Sequence, residues 1–109
     1  MIRLPIPPSV NALYRNVKGV GRVKSGVYKA WLNEAGWKLK TQRVDTVIGP
    51  YVLTIRLPAK MQGDIDNRVK AISDLLVLHK IIPDDRLAQG INVSRAPVTE
   101  VEVEIAPHG

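Results

Sequence analysis

The stretch from residue 51 to residue 57 constrains this chain more than any other. Tyr51, Leu53, Ile55 and Leu57 alternate with Val52, Thr54 and Arg56. Successive side chains of a strand point to opposite faces, so the segment reads as a strand with one strongly apolar face. After a connection over residues 58–63 the period changes. Ile65, Val69, Ile72, Leu75 and Leu76 fall on one stripe at helical spacing, which predicts a helix over residues 64–80. A sheet face and a helix stripe, both apolar and adjacent in the chain, satisfy each other by packing together in two layers.

The remaining segments extend that plan. Ile2, Leu4 and Ile6 alternate with Arg3 and Pro5, a strand over residues 2–6. Pro5 has no N–H to donate, so this strand belongs at an edge or pairs on one side only. Residues 9–25 are polar and basic and are punctuated by Gly19 and Gly21, as in a long loop or loose hairpin. A helix is expected from an N-cap at Ser25 to about Val44, with Val27, Trp31, Ala35 and Leu39 at helical spacing. Gly36 weakens it by about 1 kcal/mol relative to Ala, enough for a bend or an early end. Gly49-Pro50 breaks the chain, and Ile82-Pro83-Asp84-Asp85 stops the second helix. Two strands close the sequence, over about residues 91–95 and 98–105, joined through Ala96-Pro97. The order β-α-β-α-β-β predicts an α+β fold, a small mixed β-sheet with two main helices packed on it. At 109 residues the chain suffices for a single domain over residues 1–109 and is too short for two.

Charge is distributed unevenly. Residues 1–44 carry nine basic groups and one acid, Glu34, whereas residues 45–109 carry seven basic groups and nine acids. A basic half suits a polyanionic partner, nucleic acid before an anionic membrane surface. No apolar run approaches the ~20 residues of a membrane span and no apolar signal core opens the chain, so a cytoplasmic protein without membrane contact is expected.

The composition excludes several chemistries. Without cysteine there is no disulfide framework and no thiolate site. His79 and His108 are the only histidines, too few for a multi-histidine metal site, and neither lies near a nucleophile elbow. Gly19 and Gly21 lack the strand and helix that flank a phosphate-cradling loop, so they mark a turn. Glu100, Glu102 and Glu104 alternate along one solvated strand face. Trp31 and Trp37, six residues apart, cannot share a helix face; one belongs to the core and the other to an interface. His79, near a helix end, is placed to cap carbonyls.

The informative acids are Asp64-Ile65-Asp66-Asn67 at the start of the second helix and Asp84-Asp85 after its end. Inside a regular helix Asp64 and Asp66 would diverge by about 200°, but at a loop–helix junction both can face one cation. Lys70 lies one turn beyond Asp66, and Asp74 one turn beyond that. Carboxylates with a lysine and no His or Cys ligand suit a hard, oxygen-seeking cation such as Mg²⁺. Such an ion supplies a water to attack a phosphodiester, and the ammonium neutralises charge developing on the phosphoryl oxygens. Simpler roles exist for each residue. A D-x-D at a helix start serves as a cap, Lys70 pairs with Asp66 across one turn, and Asp84-Asp85 forms a turn. The residues alone leave both readings open.

The pattern Asp64-Ile65-Asp66-Asn67-x-x-Lys70-x-x-x-Asp74, followed by Ile82-x-Asp84-Asp85, resembles RusA-type Holliday junction resolvases. Leu4-Pro5-x-Pro7-Pro8-Ser9-x-Asn11 resembles that family's opening strand and turn. The resemblance implies a homodimeric endodeoxyribonuclease of bacteria and their prophages. It would cut four-way or other branched DNA symmetrically with Mg²⁺, or Mn²⁺ as a substitute, in DNA recombination and repair. On that basis Asp64, Asp66 and Asp85 match the metal-holding catalytic aspartates, Lys70 the essential lysine, and Asn67 a motif residue with an orienting role. DNA phosphates would lie along Asn11, Arg15, Lys18, Arg22, Lys24 and Lys29. One departure stands out: some members carry an arginine run before the first aspartate, whereas Lys60-Met61-Gln62-Gly63 offers one cation. Two symmetric cuts need two sites, which a two-fold dimer of so small a domain supplies. The alternative is a non-catalytic DNA-binding protein of phage origin that keeps the acids as helix caps. An RNA-binding module fits poorly, since only Tyr51 is an aromatic placed on a strand.

Overall fold

The most apolar strand lies inside the sheet. The computed structural model describes residues 1–108. Its strands are β1 (Ile2–Leu4), β2 (Tyr14–Val17), β3 (Gly21–Lys24), β4 (Tyr51–Pro58), β5 (Ala88–Ala96) and β6 (Val101–Pro107). Its helices are α1 (Gly26–Thr41) and α2 (Val69–Leu78), with short 3-10 turns at Val10–Ala12, Asp66–Arg68 and Asp85–Leu87. A four-stranded sheet runs β1-β6-β4-β5, and β2 and β3 form a separate antiparallel hairpin. β4 pairs parallel with β5 and antiparallel with β6, so the sheet is mixed, as expected. A parallel pair needs a long crossover, and the segment bearing α2 provides it.

Tyr51, Leu53, Ile55 and Leu57 all turn inward and are buried with Val101 and Val103 of β6 and Ile2 and Leu4 of β1. From α2 come Ala71, Ile72, Leu75 and Leu76, and from α1 Tyr28, Trp31, Ala35 and Leu39. The opposite sheet face is polar: Arg56 reaches Glu104 at 2.8 Å and Glu102 at 3.4 Å, and Arg3 lies 3.8 Å from Glu102. Glu100 pairs with Lys38 of α1. Glu102 and Glu104 of β6, with Glu100 just before it, thus form a row matched to cations, in which Glu104 is exposed and Glu102 is mostly covered.

Several boundaries differ from expectation. β1 stops at Leu4, before Pro5, and occupies a sheet edge. Its free side is closed by Gln42, whose amide accepts from Arg3 N at 2.6 Å and donates to Arg3 O at 2.7 Å. Residues 9–25 contain a defined hairpin. Tyr14 pairs with Lys24 and Val17 with Gly21, and Gly19 and Gly21 adopt φ of 80° and 99° around its tip. In α1 Ser25 is the N-cap, accepting from Tyr28 N at 3.1 Å, but the helix ends at Thr41. Trp31, Ala35 and Leu39 of its stripe are buried as expected, but the first position is taken by Tyr28, while Val27 is exposed. Gly36 neither bends nor ends the helix; it is buried, and a Cβ there would stand 3.1 Å from His79 Nε2. α2 begins at Val69 rather than 64, because residues 66–68 wind more tightly as a 3-10 turn. β5 starts at Ala88 and does not pair with β6, since β4 lies between them.

Candidate active site

The chain that carries Asp64 and Asp66 is anchored by two arginines. Arg95, near the end of β5, donates to Met61 O at 2.6 Å and also to Gly63 O. Arg68 donates to Pro7 O at 2.6 Å and Gln62 O at 3.0 Å. Gly63 turns the chain at a φ of 90°, with Arg68 against it. Asp64 then lies in non-helical chain and Asp66 opens the 3-10 turn leading into α2. Neither the turn nor α2 has a side-chain capping bond, so the simple cap reading of D-x-D finds no hydrogen bond to support it. Both carboxylates are exposed, and the ion pairs among the described residues use other acids. Asn67 is half-buried in the same turn.

Along α2 the charges continue on one face. Lys70 does not pair back to Asp66; its ammonium lies 3.4 Å from Asp74, one turn on. Asp74 also accepts from the Tyr28 hydroxyl at 3.4 Å. Burial, and then the negative charge of Asp74, push the Tyr28 phenol up to about 12. Tyr28 meets Tyr14 of the hairpin edge to face, with ring centroids 5.8 Å apart, and the Arg22 guanidinium lies 4.4 Å from the Tyr14 centroid. Tyr14, Lys24, Tyr28, Asp74 and Asp85 all line one cleft of about 330 Å³ between the hairpin, α1 and α2.

How Asp85 reaches that cleft follows from the end of α2. Ile81 N donates to Leu76 O at 2.9 Å and Lys80 N to Val77 O at 3.0 Å, with Lys80 in the left-handed region at φ 59°. This is a Schellman ending. It reverses the chain, buries Ile81 and Ile82, and returns the backbone to the sheet edge, where Tyr51 donates to Asp84 O at 3.3 Å. His79 ends the helix through its backbone, and its ring faces Gly36 rather than capping carbonyls. The two adjacent acids then divide their tasks. The Asp84 carboxylate accepts from Arg86 N at 2.9 Å and from Arg86 Nε at 3.3 Å. That backbone bond above all, then the Asp85 side chain and the Arg86 side chain, hold Asp84 below the usual carboxylate range. Tyr51 is raised by burial and by the negative charges of Asp85 and Asp84. Asp84 is thus the local cap, and Asp85 is the exposed acid of the pair.

The three carboxylates named from the sequence do not converge within one chain. Asp64 and Asp66 precede α2 and Asp85 follows it, and ten helical residues span about 15 Å. Among the described residues no three carboxylate or imidazole groups stand close enough to enclose a metal ion. The donors fit a hard divalent cation in chemical type, all oxygen and all exposed, but a single chain does not gather them.

The basic residues fall where the sequence suggested an arm. Asn11 lies in the Val10–Ala12 turn, Arg15 on β2, Lys18 in the hairpin loop, Arg22 and Lys24 on β3 and Lys29 on α1, all exposed. Of these, Lys24 lines the acid-bearing cleft, and Lys24 and Lys29 line a neighbouring groove. Asp74, Tyr14 and Tyr28 have no role that the sequence pattern alone assigns. Asp74 was legible as the second turn of a charged stripe from Asp66 through Lys70. The tyrosines gave no signal, because nothing in the chain links residue 28 to residue 74.

Comparison with known proteins agrees with this arrangement. The family model described as Endodeoxyribonuclease RusA matches residues 5–106. A search of curated proteins finds no match. Among the described residues no helix is long and apolar enough to cross a membrane. A mixed sheet carrying two helices, with the D-x-D-N and D-D acids at either end of α2, accords with a match over nearly the whole chain: the chain belongs to the RusA endodeoxyribonuclease family.

Proposed function

We propose that this protein is a homodimeric, Mg²⁺-dependent endonuclease that resolves four-way or other branched DNA in recombination and repair. Membership of a nuclease family supports the chemistry. The observation that carries the rest is the division of acids about α2, with Asp64 and Asp66 exposed and unused as caps at one end and Asp85 exposed at the other. A two-fold dimer that sets Asp64 and Asp66 beside Asp85 of the partner subunit would gather three oxygen donors at each of two sites. A divalent ion held there supplies a polarised water for attack on the phosphodiester. Lys70, aligned along α2 by Asp74, offsets charge on the phosphoryl oxygens. The hairpin cations hold the flanking phosphates.

Purified protein with Mg²⁺ is expected to place paired nicks in a synthetic four-way junction. Asp66→Asn should bind that junction and leave it intact. Absence of nicking by the wild type, or cutting by Asp66→Asn at the wild-type rate, sinks the proposal. One observation favours a second reading, a non-catalytic DNA-binding protein: among the described residues of one chain, no three carboxylate or imidazole groups cluster. Calorimetry that detects tight DNA binding and no uptake of Mg²⁺ or Mn²⁺ selects it.

A further inference from the structure

Of the two tryptophans, Trp31 is buried and donates its indole N–H to Pro5 O at 3.0 Å. Trp37 is 68% exposed, on the far side of α1. It does not stand alone: Leu78, 62% exposed, lines the same groove, and a shared apolar patch, unlike a lone surface side chain, points to a partner. Around it lies a groove of about 400 Å³ whose lining includes Lys24, Lys29, Trp37, Lys40 and His79, and no acid. Lys29, Asn33, Trp37 and Lys40 recur at intervals of four, four and three, so they form one stripe along α1. Lys40 Nζ lies 5.7 Å from the Trp37 ring centroid. Gly36 keeps the floor open, since a Cβ there would press on the His79 ring. Lys24, Leu32 and Leu78 line both this groove and the cleft of Asp74 and Asp85, so the two adjoin.

We propose that this groove receives a DNA strand leaving the cutting site, with Trp37 stacked on an unpaired base and the three lysines on its phosphates. The inference rests on the nuclease reading and adds a means of recognising the branch. Aromatic side chains stack on any base whose face is free, and a base inside a continuous duplex presents no free face. Selectivity for a branch then follows from one side chain. Charge complementarity favours a nucleic acid over a second copy of the chain. Among the described residues five of the ten acids, Glu100, Glu102, Glu104, Asp74 and Asp84, already pair with cations of their own chain, and the protein carries a net charge of +6.

Intact protein and its Trp37→Ala and Trp37→Phe variants provide the test, without metal. A single strand of about twelve thymidines should quench the tryptophan emission of the wild type and leave that of Trp37→Ala, which retains only buried Trp31, unchanged. Trp37→Ala should weaken binding to that strand and to a four-way junction by between about fivefold and a hundredfold. Binding to linear duplex should stay within about twofold, since phosphate contacts carry it, and Trp37→Phe should recover most of the loss. Equal affinities for wild type and Trp37→Ala overturn the proposal. So does a Trp37→Ala protein that sediments as a monomer where the wild type is a dimer, which would make Trp37 a subunit contact. The nuclease reading fails separately: Trp37-dependent quenching in a protein that never cuts leaves the groove and removes the enzyme.

Discussion

At the scale of single residues, Lys80 holds the least favourable backbone in the active region. Its φ of 59° closes the Schellman ending that swings Asp84 and Asp85 back to the sheet. A non-glycine residue there costs about 1–2 kcal/mol, partly offset by the greater unfolded-state entropy of glycine. Lys80→Gly is therefore expected to raise stability by roughly 0.5–1 kcal/mol in urea unfolding. Tyr28 gives a second measurable effect. Its phenol titrates near 12 in the folded chain against 10.0 as the ordinary value, so between those pH values the unfolded chain has lost a proton that the folded one keeps. The contribution of Tyr28 to stability is whole below pH 10.0 and is lost as pH rises toward 12. Ultraviolet titration of tyrosinate should show the high-pH component move down in Asp74→Asn, which removes the charge but not the burial. The division between Asp84 and Asp85 was legible only as a pair of acids in the sequence. Which one caps and which one stays free depends on where Arg86 N points, and a one-dimensional pattern does not carry that.

At the scale of elements, the periodicities of β4 and α2 were strong enough to read, because the same alternation that names the element also names its buried face. The weaker signals misled at the edges. Val27 and Tyr28 are both apolar and adjacent, so a helix stripe could start on either; the Ser25 cap and the contact with Asp74 select Tyr28. The basic hairpin looked loose because its side chains carry little apolar pattern, yet Tyr14 packs into it against Tyr28. Gln42 was not legible at all, since its role depends on β1 lying beside the end of α1. It closes an otherwise open sheet edge with two hydrogen bonds to Arg3. Gln42→Ala should cost about 1–2 kcal/mol in thermal or urea unfolding. It should also raise the tendency to aggregate through the freed edge, which light scattering reports.

At the scale of the whole molecule, the basic half and the acid-bearing half became adjoining surfaces, with Lys24 lining both the groove and the acid-bearing cleft. Each phosphate contact lowers the logarithm of affinity by about 0.9 per decade of salt. Replacing Lys24 and Lys29 together with alanine should reduce the salt slope of duplex or junction binding by about 2. Fluorescence titrations at several salt concentrations measure it, and an unchanged slope removes these lysines from the interface. The separation of acids to either end of α2 has a further consequence for mixtures of defective proteins. Neither Asp66→Asn nor Asp85→Asn should cut alone. In a mixed dimer, one composite site collects both lesions and the other collects none. Re-annealed mixtures should therefore regain activity as half-reactions, leaving junctions nicked on a single strand and still joined.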